Sequence, residues 1–362
     1  MNNISISNHA IIALTQDHKV KGIITMTDLE TIKNKFPGIS CAYRDAKGNI
    51  TTKCYGFADK ESNVKADENT AFPACSISKF ITGICVMKEF EQGRIDIEKP
   101  VNLYLRSWKL LTPNGGESEA TIRSLLSHTS GIIDGEDGFY GSRRSDPAVS
   151  LLDVLDGKTS YNNRPARENN PYGTEFEYSD AGFCVLQQLL EDLEQKPYEK
   201  IAEEFVFAPL GLKNTFSASL ANLDVYEPKI VMATGYDEEG KPIPGKYPQM
   251  PDLAASGLWS TPTELLKIAQ EFTKACAGGS TLLQAKNALA MTEPNERFPW
   301  VGLGIFMDGE DKLSISGWGE NGQSRLKFNY RTGEAAAVMV NRNPGVDQSE
   351  SGVEWLINNG AE

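Results

Sequence analysis

Phe72-Pro73-Ala74-Cys75-Ser76-Ile77-Ser78-Lys79 leads into an apolar run, Phe80, Ile81, Ile84 and Met87, that ends at Gly93. The 3.6-residue spacing and the terminal glycine predict a helix beginning at Ser76. A serine in a first helical turn lies beside unpaired backbone N–H groups, and a lysine three residues on shares its face. A serine nucleophile can be built this way without histidine. The plain alternative is an N-cap serine, a position that serine fills very often.

S-x-x-K is expected by chance about once or twice in a chain of this size, and Ser62-Asn63-Val64-Lys65 and Ser324-Arg325-Leu326-Lys327 also match. The first lies in a polar run without periodicity and reads as loop. The second alternates as a strand, where residues three apart face opposite sides, so its Ser and Lys cannot meet. Only at Ser76 do the helix start, the apolar face and the stop agree.

The chain has 362 residues, 40% hydrophobic and 23% charged, the composition of an ordinary globular protein with one large core or two lobes. Lys plus Arg number 36 against 49 Asp plus Glu, a net charge of −13 that repels phosphate backbones and anionic membrane surfaces. Nucleic acid is therefore not expected as a partner. No stretch is apolar enough to span a membrane, and the first thirty residues lack a basic start followed by an apolar run. The expected compartment is the cytoplasm, or the periplasm or exterior if a leader has been removed.

Six dispersed cysteines contain no C-x-x-C pair, which removes zinc knuckles and thioredoxin-type chemistry. If Ala46-Lys47-Gly48-Asn49 is a hairpin turn centred on Lys47-Gly48, Cys41 and Cys54 face each other across the strands and are close enough for a disulfide. Two reduced, core-facing thiols are the expected state.

Two short helices are expected in residues 1–36, around Asn8–Gln16 and after Thr27-Asp28, then a hairpin over Gly38–Asp59. Beyond the Ser76 helix, the region from about 100 to 250 carries helical segments (Thr121–Ser127, Val149–Leu155, Ala181–Glu194, Tyr198–Phe205) joined by Gly-, Pro- and Asn-rich loops. Strand signals return at Val301–Met307, Lys312–Ser316, Leu326–Tyr330 and Ala335–Val340, with a last helix at Ser351–Asn358. The two ends of the chain are expected to build one sheet.

Only three histidines are present: His9, His18 and His128. A Ser-His-Asp triad would have to use His128, which sits at a predicted helix end where histidine commonly binds the last carbonyls. G-x-S-x-G and H-E-x-x-H are absent, so neither a hydrolase elbow nor a metal site is expected. The base must then be a lysine or tyrosine altered by its surroundings. Tyr178, in Gly173-Thr174-Glu175-Phe176-Glu177-Tyr178-Ser179-Asp180, leads into a helix capped by Ser179 or Asp180, whereas Tyr161 lies in a polar loop. On residues alone, a base at Tyr178 and a side chain that merely plugs this junction stand level.

In order along the chain, the Ser76 segment, Leu125-Leu126-Ser127-His128-Thr129-Ser130-Gly131, the Tyr178 segment, Phe207-Ala208-Pro209-Leu210-Gly211-Leu212-Lys213-Asn214-Thr215 and Ala255-Ser256-Gly257-Leu258-Trp259-Ser260-Thr261-Pro262 resemble the serine β-lactamase-like hydrolases. These include class C β-lactamases, DD-carboxypeptidases, D-aminopeptidases and related esterases. The resemblance spans roughly residues 37–345. It implies Ser76 as nucleophile, with Lys79 and Tyr178 moving its proton, and no cofactor or metal.

Two departures stand out. Where the family usually has Asn, Asp180 can only accept hydrogen bonds when ionised, and its charge favours a protonated Lys79. The third motif, usually K-T-G or H-x-G on a strand, corresponds to Gly317-Trp318-Gly319 followed by Glu320-Asn321, with a register starting at Trp318 as the alternative. Either way its cation is missing, which weakens recognition of a substrate carboxylate. Asp180, Gly317, Trp318, Gly319 and Glu320 are expected to meet substrate, a backbone N–H near Glu320 joining that of Ser76 as an oxyanion hole. Gly317–Gly322 also spells G-x-G-x-x-G, but a strand pattern follows it where a dinucleotide site needs a helix.

The expected fold is α+β and β-lactamase/transpeptidase-like: an antiparallel sheet flanked by helices (residues 1–100 and 255–362) carrying a mainly helical lobe (101–254). The expected activity is hydrolysis of an ester or amide, D-amino-acid substrates included, through an acyl-enzyme. A DD-peptidase or class C-like β-lactamase is the alternative enzyme, and a non-catalytic binding member the alternative of another class. The expected partner is a small molecule or short peptide, and a homo-oligomer is left open.

Overall fold

The computed structural model describes residues 29–136, 138–140, 149–218, 226, 229–248 and 250–360. The helix expected around Asn8–Gln16 lies outside them. The strands are β1 (Gly38–Arg44), β2 (Ile50–Asp59), β3 (Val64–Lys65), β4 (Phe72–Cys75), β5 (Phe216–Ser217), β6 (Leu258–Ser260), β7 (Phe306–Met307), β8 (Lys312–Gly319), β9 (Gly322–Asn329) and β10 (Ala335–Val340). The helices are α1 (Leu29–Lys33), α2 (Ser78–Glu91), α3 (Ile122–Leu126), α4 (Leu151–Leu155), α5 (Asp180–Glu194), α6 (Tyr198–Ala202), α7 (Leu253–Ser256), α8 (Pro262–Cys276), α9 (Ala285–Met291), α10 (Gln348–Ser351) and α11 (Val353–Asn359).

A seven-stranded sheet runs in the order β3-β2-β1-β10-β9-β8-β7, and its named strand pairs are antiparallel. The hairpin from early in the chain is thus zipped to the last strand, as the two separated blocks of strand pattern imply. Side chains alternate across it. One face packs Leu313, Ile315, Leu326 and Phe328 against α2 and α8, with Phe80 edge-on to Phe272 at 5.1 Å. The other face packs Ile39, Cys41, Tyr43, Val338 and Val340 against α1 and α11. A small second sheet, β4-β6-β5, delivers the chain into α2.

The hairpin turn differs from expectation by one residue. Asp45 N–H donates to Asn49 O, leaving the three-residue loop Ala46-Lys47-Gly48 with Gly48 at φ +92°. Gly supplies that left-handed position, which makes a three-residue loop rather than a two-residue turn. Cys41 therefore pairs with Lys53, and Cys54 with Ser40. Since a one-residue slip reverses the face, the two thiols lie on opposite sides of the sheet, and both are free.

Helix α2 begins at Ser78, not Ser76, and it is buried on nearly every side, including Ser78, Lys79, Thr82, Cys85 and Glu89. The apolar stripe read from the sequence is thus part of a central helix, buried all round rather than on one face. Gly83 is needed there, since a Cβ would come within 2.9 Å of Leu303 O. The helix expected at Tyr198–Phe205 is split into α6 and a π-type turn over Glu203–Phe207.

Candidate active site

Strand β4 is wholly buried and ends on Cys75, whose φ of +48° turns the backbone sharply before Ser76. A β-carbon in that region costs on the order of 1 kcal/mol or more, so the surroundings must hold it. Ser78 Oγ does so, donating to Cys75 O at 2.6 Å and accepting from Leu258 N–H of β6 at 3.0 Å. Ile77 N–H donates to Ala74 O and Lys79 N–H to Ser76 O, each at 3.1 Å, so Ser76 sits in a tight turn ahead of the helix. The residue preceding α2 is Ile77, with no side-chain cap. The N-cap role weighed for Ser76 is not the one it takes.

Lys79, 1% exposed, donates to Ser76 Oγ at 3.2 Å, to Asp180 Oδ1 at 2.5 Å and to Ala255 O at 3.0 Å. An ammonium has three protons, and here three acceptors surround it. Burial alone would push this group down. The Asp180 carboxylate and the Tyr178 phenol outweigh burial and hold it above the ordinary lysine range. The Tyr178 phenol lies beside Ser76 and Lys79, and both act on its titration. Its phenol is pushed up by burial, pulled back by Lys79, and pushed up further by Asp180. Its ring stacks on His128 at 4.4 Å, with Lys79 Nζ 4.8 Å from the ring centre.

Ser76, Lys79, Tyr178 and Asp180 thus meet at one place. His128 has a different role from the carbonyl binding expected at a helix end: buried, it accepts Ser179 N–H at Nδ1 (3.1 Å). An accepting Nδ1 means a neutral ring protonated at Nε2, and burial with Lys79 nearby holds its pKa well below the usual value. Tyr161 lies in no loose loop. It is 3% exposed and donates to Asp252 Oδ1 at 2.7 Å.

Two further carboxyls escaped the sequence reading. Asp134 accepts from Ser179 Oγ at 2.7 Å, Asp180 N–H at 2.6 Å and Ala181 N–H at 3.2 Å. Asp252 is fully buried just before α7, the helix that presents Ala255 O to Lys79. Burial and the charge of Asp180 raise each to about 7. Neither has a charged partner or motif beside it in the chain, although apolar residues flank both, Ile132-Ile133 before Asp134 and Leu253-Ala254-Ala255 after Asp252; the other signal was proximity to the Ser127–Gly131 and Ala255–Pro262 motifs.

Gly317 and Gly319 of β8 lie against the turn that carries Ser76. A Cβ on Gly317 would stand 2.2 Å from Ser324 Oγ, 2.4 Å from Ala74 O and 2.9 Å from Cys75 Cβ; one on Gly319 would stand 3.0 Å from Cys75 Sγ. Ser324 Oγ donates to Ala74 O at 2.6 Å and fills the space where a side chain at 317 would start. Trp318 pairs with Gln323, which lies opposite Val340 in the register. Alternation therefore puts its indole on the α11 face of the sheet, away from Ser76. Glu320 is buried in the β8–β9 turn. That turn leads into a strand, so Gly317–Gly322 is a hairpin and not a nucleotide loop.

Comparison with known proteins agrees with this fold. The family described as Beta-lactamase matches residues 17–357. Protein flp of Staphylococcus aureus (strain MRSA252) is 26% identical over 265 residues, 71% of this chain and 48% of that protein. The chain therefore spans about half the length of the curated relatives it matches. Among solved structures, the octameric penicillin-binding protein homologue from Pyrococcus abyssi superposes with a TM-score of 0.73 at 22% identity, covering 92% of this chain and 76% of that one. The D-amino acid amidase from Ochrobactrum anthropi SV3 in complex with D-phenylalanine gives 0.71 at 20% identity, covering 91% and 97%.

Proposed function

We propose that this chain, which belongs to the beta-lactamase family, is an acyl hydrolase in which Ser76 is the nucleophile and Lys79 and Tyr178 handle its proton. The observation that carries the reading is Lys79 Nζ at 3.2 Å from Ser76 Oγ, with the same nitrogen 4.8 Å from the centre of the Tyr178 ring. Ser76 Oγ forms a bond to the substrate carbonyl carbon while its proton passes to the Tyr178 oxygen, ionised beside the Lys79 ammonium. The proton then goes to the departing alcohol or amine, and water enters by the reverse path to release the acid. The backbone N–H groups of Ser76 and Glu320 are the proposed oxyanion donors.

Lys79 and Tyr178 are both raised above their ordinary values, so the resting site carries one proton more than attack requires. Activity should rise on the alkaline side. Gly317 offers no cation and no room for one, which favours esters and amides, D-amino-acid derivatives included, over penicillins and peptides read by a terminal carboxylate. The short Lys79–Asp180 pair also supports a second reading, a binding protein whose lysine is neutralised in place.

Ser76→Ala should lower hydrolysis of an activated ester by at least about a thousandfold with the fold intact; parent-level turnover in that variant would end the proposal. Labelling with a fluorophosphonate and a fluorescent penicillin, read by intact mass, separates the readings. The first reagent alone marks the esterase or amidase, both mark a penicillin-recognising enzyme, and neither marks the binding protein.

A further inference from the structure

The Ser127–Gly131 motif continues into Ile132-Ile133-Asp134, and this segment grips the tyrosine loop at several points. Gly173 N–H donates to Thr129 O at 2.6 Å and Glu177 N–H to His128 O at 2.8 Å. Ser179 N–H donates to His128 Nδ1, and Asp134 takes Ser179 Oγ–H and the amides of Asp180 and Ala181. Ser179 Oγ in turn accepts Gly182 N–H at 2.9 Å as the cap of the fifteen-residue helix α5. All three hydrogen bonds of Asp134 thus end on the two residues that follow Tyr178 and on the next, Ala181.

We infer that Asp134 is a positioning residue: its carboxylate holds the first turn of α5 so that Tyr178 meets Ser76 and Asp180 meets Lys79. The inference rests on the hydrolase reading above, but its geometry does not depend on which group attacks. Both carboxylate oxygens are needed, Oδ1 for Ser179 and Ala181 and Oδ2 for Asp180. Asp134 also lies close to a like charge, Asp180, which with burial moves its titration to about 7. The other titratable groups around this helix start are Lys79 from α2, Cys184 on α5, Tyr178 and His128 from the loops, and Asp252 with its Tyr161 partner. Protonation removes an acceptor from the clamp, so the parent chain should lose turnover on the acid side of neutrality.

Asp134→Asn keeps the size and one acceptor, placing an NH2 against a backbone donor. With an activated ester, kcat should fall about tenfold to a hundredfold with KM within about twofold. The step expected near pH 7 in the parent's kcat profile should disappear, because asparagine does not titrate, while the rise at higher pH set by Lys79 and Tyr178 stays. An unchanged kcat and pH profile, or a loss of kcat with the step near pH 7 retained, would overturn the inference. A second measurement needs no variant and no activity: in the parent chain, the amide proton resonances of Asp180 and Ala181, read by NMR, should titrate together near neutral pH. Resonances that stay fixed between about pH 5.5 and 8.5 would refute the clamp even if Ser76 proves to be the nucleophile. If Ser76→Ala retains parent turnover while those resonances titrate, the hydrolase reading fails and the clamp stands.

Discussion

Asp180 sets the electrical state of the site. Its carboxylate lies 2.5 Å from Lys79 Nζ, and the same charge helps to push the Tyr178 phenol up. Asp180→Asn removes an anion and leaves a group of equal size. Both proton carriers should then become more acidic, so the alkaline rise of kcat/KM moves to lower pH. Each pH unit by which that rise moves should raise the rate at neutral pH about tenfold. A pH profile of the variant that coincides with the parent's would show that this charge does not govern the reaction. The effect of Asp180 on Lys79 was legible in the residues, because an anion in the tyrosine motif falls near the lysine in any chain of this pattern. Asp134 and Asp252 were not, because 45 or more residues separate them from the side chains they bind.

At the level of elements, the site depends on β8 lying flat against the end of β4. Gly317 and Gly319 permit that approach, and Gln348 Nε2 of α10 secures it from behind, donating to Gly317 O at 3.0 Å and Ser324 O at 2.9 Å. Gly317→Ala should cost about 1 to 3 kcal/mol, since a methyl group is forced against a backbone carbonyl and a packed hydroxyl; urea unfolding measures it. A Gly317→Ala variant as stable as the parent would mean that the two strands separate readily and that a cation could be accommodated there. Strand periodicity located β8 and β9 correctly but not what lies against them. It also predicted the β1–β2 hairpin while misplacing its register by one residue, because the conformation of Gly48 settles loop length and composition does not.

Across the whole molecule, the buried acids tie stability to pH. Asp134 and Asp252 move from an ordinary 3.8 to about 7, so between those values the folded chain holds protons that the unfolded chain has released. Their contribution is present below about pH 4 and is lost as the pH rises through about 7. His128 acts oppositely, since its neutral ring is favoured in the folded state, but it costs stability only below about 6.5. Between about pH 6.5 and 8.5 these two acids and Glu89, likewise raised to about 7 by burial, lose protons chiefly in the folded chain, and the unfolding free energy should fall by on the order of 2 kcal/mol. Denaturant titrations at the two pH values test this, and equal stability would place all three acids in ordinary ranges. By itself the sequence determined that Ser76 and Lys79 meet across one turn, the two strand blocks and a cap at Ser179 or Asp180, since each depends on residues within one or two turns. Tertiary structure alone decided that Trp318 faces away, that Ser324 occupies the space a cation would need, and that three carboxyls gather behind one lysine. Those outcomes depend on the approach of segments far apart in the chain, where burial and close packing set the charge of each group and the room it has.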